Sequence, residues 1–540
     1  MRRSIVVLCI VASIAFLFGG AGLAQAQTGL PPFSSGMSFG PAWVNLANLD
    51  IHVSAPVFAK PGRGVPLNYT LAYDTLGVPN ADWMGWTRTG PAGWMQVYDT
   101  TSQYCYLNQT FYNVIGFSTY HDANGGLHLP GGLVVGPSDD PCNYHAGDTG
   151  TLGDGSGWSY VVTQALSIDF LLPDGTLIEP LHVRCTGSPS VCTSVGGGTI
   201  MDSNGNLLYE QLSPNPNQIV DTTATAFAVS GDYWTIQSLG YTDSNGVQQE
   251  VNVSYGSGNA QTNYGCSNIH DFPATAVGSQ LVKQISYPDG SSMQFGYEPT
   301  PGFPTSTTGR IASITLRTGG TINFAYTGSH DGINCTDGSM AGISVTTSDN
   351  GTWTFQRTLG TGTATTTTVT DPDGNQMVIS FLGGFETQRQ IYQGSSASGT
   401  LLQTITKCYN GNKSNCTTTT TRLPVTELSV IQALPNGEEN EQDTFFNMSE
   451  LQTEIDDYGF ASNQAGSLLR KIFITYASLG NNILNHPASV TVCSPSGTDA
   501  ACNGSGTRLA QTTFGYDEGT LTTSGAGMHS GVSGSHGNLT

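Results

Sequence analysis

Along this chain apolar and polar residues alternate in short runs, and turn dipeptides separate the runs. In LVKQISYPDGSSMQFGYE, Ile285 and Tyr287 lead into Pro288-Asp289-Gly290, and Phe295 and Tyr297 follow. A period of two places one set of side chains on one face of a strand, and Asp-Gly supplies the backbone freedom of a tight turn, so the segment reads as a β-hairpin. Looser copies surround Asp174-Gly175, Asn245-Gly246, Asn350-Gly351 and Asp373-Gly374, and GRIASITLRTGGTINFAYTG gives another around Gly319-Gly320. Near the N-terminus two alternating strands, 50–58 and 65–72, flank Pro61-Gly62-Arg63-Gly64. The Thr-rich stretch 361–369 reads as a strand, because Thr favours strands and no Pro interrupts it. RKIFITYAS alternates as well, and helical spacing shows only weakly, around 450–456. Hairpins recurring every ~20 to 30 residues imply stacking, each burying its apolar face against the next. The predicted fold is all-β: an N-terminal β-domain followed by repeated antiparallel β-hairpins in an extended or spiralling sheet. The predicted divisions are a leader at 1–26, the N-terminal β-domain at 27–165, a hairpin region at 166–280 and the densest repeats at 281–540.

The first residues point to export. Arg2 and Arg3 precede an apolar run from Ser4 to Phe18, and Ala24-Gln25-Ala26 has the small-residue form of a cleavage site. That run is shorter than the ~20 residues of a spanning helix, so the expectation is a signal peptide cut after Ala26 and a secreted or cell-surface product, with no transmembrane segment after cleavage. Losing Arg2 and Arg3 leaves 15 basic side chains against 39 acidic ones, a balance of −24. Phosphate backbones are bound by clustered Lys and Arg, so nucleic acid is excluded as a partner. Ten of the eleven cysteines lie beyond the leader. The short spacings predict local disulfides between Cys185 and Cys192, Cys408 and Cys416, and Cys493 and Cys502; Cys105 with Cys142 and Cys266 with Cys335 are left by elimination. Connectivity stays open at this point, because sequence does not fix it.

Candidate chemistry is sparse, and no catalytic, cofactor-binding or metal residue is assigned. Gly36-Met37-Ser38-Phe39-Gly40 matches G-x-S-x-G, but Pro31-Pro32 before it and Pro41 after it leave no strand-to-helix elbow. Asp202-Ser203-Asn204-Gly205-Asn206 opens like a calcium loop, yet Leu207 and Ser213 stand where an EF-hand needs Gly and a carboxylate, so a hairpin turn is expected. His121, Asp122 and His128, with His145 further on, could converge on a metal; solvated turn histidines are the simpler expectation. Asp139-Asp140 and Asp456-Asp457 are acidic pairs whose separation nothing fixes, and glycosidase chemistry depends on that separation. Trp83, Trp86, Trp94 and Trp158 fit an aromatic core, with carbohydrate recognition by exposed Trp as the alternative.

LDIHVSAPVFAKPGRGVPLNYTLAYDT, ISYPDGSSMQFGYE, GRIASITLRTGGTINFAY, and FGYDEGTL followed by HGNLT together resemble the rearrangement-hotspot (RHS) or YD-repeat family, over most of residues 45–540. The resemblance implies a large sheet spiralling into a hollow shell, commonly around a C-terminal effector. It gives Tyr287 and Asp289, Tyr73 and Asp74, and Tyr516 and Asp517 structural roles in strand and turn. Several copies have Pro-Asp or Ser-Asp in place of Tyr-Asp, and Thr540 falls inside a repeat. The expectation is therefore a non-enzymatic shell segment, truncated at the C-terminus, whose partners are downstream repeats or effector cargo. Residues after about 514 are then expected to pack poorly in isolation. The alternatives are an adhesin binding cell-surface glycans or proteins, and an extracellular hydrolase.

Overall fold

Alternation becomes strand almost everywhere in the computed structural model, which describes residues 30–77, 85–98, 101–128, 133–165, 167–186, 191–211, 217–231, 236–276, 281–349, 351–520 and 525–540. The leader, Trp83 and Asn350 lie outside the described residues. Among these residues no α-helix occurs, and only three 3₁₀ turns interrupt the strands. The strands form three sheets of five, seven and twenty-eight members.

The five-stranded sheet runs Gly36–Phe39, Ala42–Asn45, Ile51–Lys60, Leu67–Asp74 and Trp86–Thr89, each paired with the next. In the seven-stranded sheet Thr110–His121 is central, and Leu181–Thr186 joins in parallel with Trp94–Val97. The large sheet starts at Thr149–Thr151 and ends at Thr507–Thr513, passing residues 165 and 280 without a break. Nearly every strand pairs antiparallel with its successor, as hairpins dictate. Ala364–Thr370 forms the Thr-rich strand and Gln464–Tyr476 carries RKIFITY.

Two expectations need adjustment. The weak helical spacing near 450 is a turn followed by the strand Gln452–Ser462. There Asn447 Oδ1 accepts from the amides of Ser449 (2.9 Å) and Leu451 (3.0 Å), an Asx turn that folds the chain back into a hairpin. The expectation of poor packing after 514 holds in part: none of the described residues there is buried, but hydrogen bonds tie the segment to itself and to the sheet. Asp517 accepts from the amides of His536, Gly537 and Asn538 at 2.8 to 3.0 Å, and Tyr516 Oη donates to Pro487 O at 2.9 Å.

One face of the five-stranded sheet lies on the large sheet, and their apolar residues make one core: Val44, Ile51 and Val53 join Phe227, Ile311 and Phe355. Trp86 packs edge-on against Phe295 at 4.9 Å and donates to Tyr297 Oη at 2.7 Å. Tyr73, fully buried, donates to Gly309 O (3.0 Å) and accepts from Ile311 N (2.9 Å), so one phenol pins the two sheets together. Phe295 and Tyr297 of the repeat thus face the N-terminal sheet, whereas Phe303 and Phe460 are exposed.

The large sheet also curls back on itself. Asp174 bridges Ile483, the amides of Leu484 and Asn485 donate to Pro173 O, and Asn206 bridges His529. Over twenty strands separate these regions along the ladder, which at ~4.8 Å per strand would hold them on the order of 100 Å apart in a flat sheet. Only a wound sheet brings them into contact.

Candidate functional site

Cross-strand partners in a ladder point to the same face, so the face that meets the N-terminal sheet can be followed along the winding. Thr367 is buried against that sheet, its hydroxyl donating to Leu46 O at 2.6 Å. From Thr367 the partners run Ile379, Arg389, Ile405, Gln432 and Asn440. The inner face is mostly apolar up to about residue 381 and alternates polar with apolar residues beyond it. At the border stands Glu386, almost fully buried, taking hydrogen bonds from Ser35 of the N-terminal segment, from Arg389 (2.8 Å) and from Lys407 (3.1 Å). Burial alone would raise its carboxyl; Lys407 and Arg389 hold it below the ordinary range.

Past this border lies a cleft of about 540 Å³ whose walls include Gln432, Asn440, Gln442, Asp457 and Arg470. Gln442 Nε2 donates to Asp457 Oδ1 (2.8 Å) and Arg470 Nε to Asp457 Oδ2 (2.5 Å), so this carboxyl stays below its usual range although burial opposes that. Gln403 donates to Gln432 at 3.2 Å. Asn440 sits where Glu438–Phe446 bulges against Gln452–Ser462, and its buried Oδ1 has no hydrogen-bond partner among the described residues. The lining mixes these amides with the apolar Val430, Tyr458 and Leu469 and the acidic Glu441, and it holds one screened ion pair.

The outer face of the same strands is built differently. Cys408, Ser429, Asp443, Asp456, Lys471 and Cys493 form a row of direct partners. Two aspartates opposite each other would repel. Lys413 reaches Asp443 (2.8 Å) and Lys471 reaches both Asp456 and Glu454 (2.6 Å each). Lys413 lies in the loop closed by a Cys408–Cys416 disulfide, and a Cys493–Cys502 disulfide closes the next loop. Asp456 and Asp457 point to opposite faces and cannot act as a pair. Cys105 is bonded to Cys142 and Cys266 to Cys335. Cys185 and Cys192 sit directly opposite in register, with their side chains outside the described set.

The histidines do not converge on a metal, nor are they all solvated as expected. His121 stacks on Trp94 (3.9 Å between ring centres), and burial lowers its pKa to about 3. His128 is buried between Asp154 (2.9 Å to Nδ1) and Asp122 (3.1 Å to Nε2), with Trp158 stacked at 4.3 Å. Burial pushes its pKa down, but the bonds to Asp122 and Asp154 outweigh it and raise it to about 9. His145 pairs with Asp148 at 3.5 Å. Trp86 and Trp94 are buried. Asp202 closes its own turn, accepting from the amides of Asn204 and Asn206. Ser38 lies within a strand followed by another strand, so no nucleophile elbow forms. Asp140 is buried, accepting from the Cys142 amide (2.9 Å) and the Asn143 side chain (2.7 Å).

One arrangement was missed from sequence. His52 Nδ1 lies 3.0 Å from Asp74 Oδ1 and its Nε2 3.1 Å from Ser54 Oγ, the order of a nucleophilic relay. Register explains it: His52 and Ser54 share a strand face, and Asp74 is the partner of His52. The usable signal was two polar residues two apart on an otherwise apolar strand. Acyl transfer also needs free amides at the developing oxyanion, and Ser54 N already donates to Pro41 O at 2.9 Å. His52 and Asp74 are buried, so the relay reads as a satisfied polar network.

No family model matches the chain, and no curated protein matches it. Among solved structures it is similar, over 91% of its length, to a chain of the Photorhabdus luminescens Tc holotoxin pore, at 10% identity and a TM-score of 0.16. It is similar over 94% of its length to a chain of TcdB2-TccC3 without its hypervariable C-terminal region, at 9% identity and a TM-score of 0.14. A third likeness, at 8% identity and a TM-score of 0.10, is to the intramolecular trans-sialidase of Ruminococcus gnavus, covering 88% of this chain and 91% of that one. The chain spans 26% and 28% of the two toxin chains. At these values the fold has to be argued from the chain itself.

Proposed function

We propose that the protein is a non-enzymatic segment of an exported β-shell of the RHS/YD-repeat kind, which would enclose or present a polypeptide effector supplied downstream. The observation that carries this reading is the change in the inner face: a closed apolar core where the N-terminal sheet covers it, and an open cleft of mixed amide, charged and apolar lining where that sheet ends. A wall meant for a permanent core would continue the apolar pattern, whereas one that holds a detachable chain benefits from exchangeable hydrogen bonds. The last strand of the ladder, Thr507–Thr513, supports the reading, since all seven of its residues are exposed and its outer edge can take a further strand.

The test is a photo-crosslinking side chain placed at Gln442 on the inner face, with Thr352 on the outer face as control, in protein recovered from its own export pathway. The reading requires a polypeptide adduct at Gln442 and none at Thr352. Equal adducts at both positions, or none at Gln442, would count against it.

A further inference from the structure

The seven-stranded sheet carries a projecting hairpin, Thr101–Cys105 paired with Thr110–His121. Its two faces have opposite characters. One face packs Cys105, Tyr112 and Val114 into a small core, and the Cys105–Cys142 disulfide fixes it to the body. The other presents Tyr104 and Phe111 as direct partners, with Ser102 opposite Asn113 beside them. Tyr106 continues the aromatic group at the tip. The ring centres of Tyr104 lie 5.2 Å from those of Tyr106 and 5.0 Å from those of Phe111. Tyr106 is 83% exposed, Leu107 74% and Phe111 65%. Large apolar side chains grouped in the open on a cross-linked hairpin mark an interaction surface.

Charge and area say what fits. No Asp, Glu, Lys or Arg occurs from Thr100 to Tyr120, in a protein with 39 acidic side chains and 17 basic ones. An ionic partner would find no counter-charge here, and an anionic membrane would be repelled by the remainder of the molecule. A second copy of the chain needs roughly 800 Å² per partner for a stable interface; three rings of ~150–250 Å² each and a leucine offer less than that, because Tyr104 and Phe111 are already partly covered within the protein. What remains is a neutral ligand with flat apolar faces and hydroxyl edges. Sugar rings have that form: their C–H faces stack on aromatic rings, and their hydroxyls bond amides and hydroxyls such as Asn113 and Ser102.

We propose that this hairpin tip is a binding site for a neutral polysaccharide, with sugar rings stacked on Tyr106, Tyr104 and Phe111. The site stands on the seven-stranded sheet and does not depend on the shell reading. It also relocates the glycan-binding alternative from the tryptophans, of which Trp86 and Trp94 are buried and Trp158 half-buried, to tyrosine and phenylalanine.

Affinity electrophoresis of the full chain tests it, in native gels containing soluble β-1,3-glucan, xylan, galactomannan or chitin oligosaccharides. The double variant Tyr106→Ala/Phe111→Ala alters only exposed side chains, and an unchanged melting temperature confirms that it folds. The expected result is retardation by at least one neutral glycan, with an apparent Kd weakened at least tenfold in the double variant. Retardation by none of them, or retardation equal in the two proteins, overturns the proposal. So does self-association, or binding to phosphatidylcholine vesicles, that the double variant abolishes while no glycan is bound.

Discussion

His128 shows how much one buried side chain can depend on its neighbours. Its imidazolium lies between two carboxylates under an indole ring, and its pKa is raised from 6.5 to about 9. A raised pKa in the folded state means that the folded protein holds the proton more tightly than the unfolded chain. The stabilisation is fully present below pH 6.5 and is lost as pH rises through about 9. His128→Asn should therefore lower the melting temperature most at pH 6, with a penalty that shrinks toward pH 10. Thermal unfolding of both proteins across that range checks this, and a penalty independent of pH would show that His128 is neutral when folded. The sequence placed His128 beside a turn, and the turn is there. It did not show Asp154, 26 residues away, because local spacing carries no trace of which later turn packs against the ring.

At the scale of elements, the hairpin around Asp289-Gly290 states the logic of the whole sheet. Ile285 and Phe295 are buried, on the face that meets Trp86. Phe295→Ala should cost about 3 to 5 kcal/mol, combining lost transfer energy with a cavity between two sheets that cannot easily collapse. Chemical denaturation measures it, and a change below about 1 kcal/mol would mean that the N-terminal sheet does not press on this strand. Such strands were legible because alternation and turn residues are local signals. Glu438–Phe446, reading EENEQDTFF, shows the limit: with hardly any apolar positions, its two faces could not be told apart from sequence. Only the register shows Gln442 and Asp457 inside and Asp443 and Asp456 outside. The His52 network was hidden for the same reason, since pairing with Asp74 depends on a strand more than twenty residues further on.

For the whole molecule the central claim is that one sheet winds until its end meets its beginning, with the N-terminal sheet on its inner face and a more polar, mixed wall beyond. The closing contacts are polar, Pro173 O with the amides of Leu484 and Asn485 and Asn204 with Asn538. No repeat pattern announces them, because each lies in a turn whose partner is more than three hundred residues away. The most direct measurement is the distance between nitroxide labels on Asp174→Cys and Asn485→Cys, read by double electron–electron resonance in the oxidised full chain. Winding predicts a narrow distribution under about 20 Å, since the two backbones touch. An open sheet, at ~4.8 Å per strand, would give a distance on the order of 100 Å or no resolvable coupling, and that result would contradict the account.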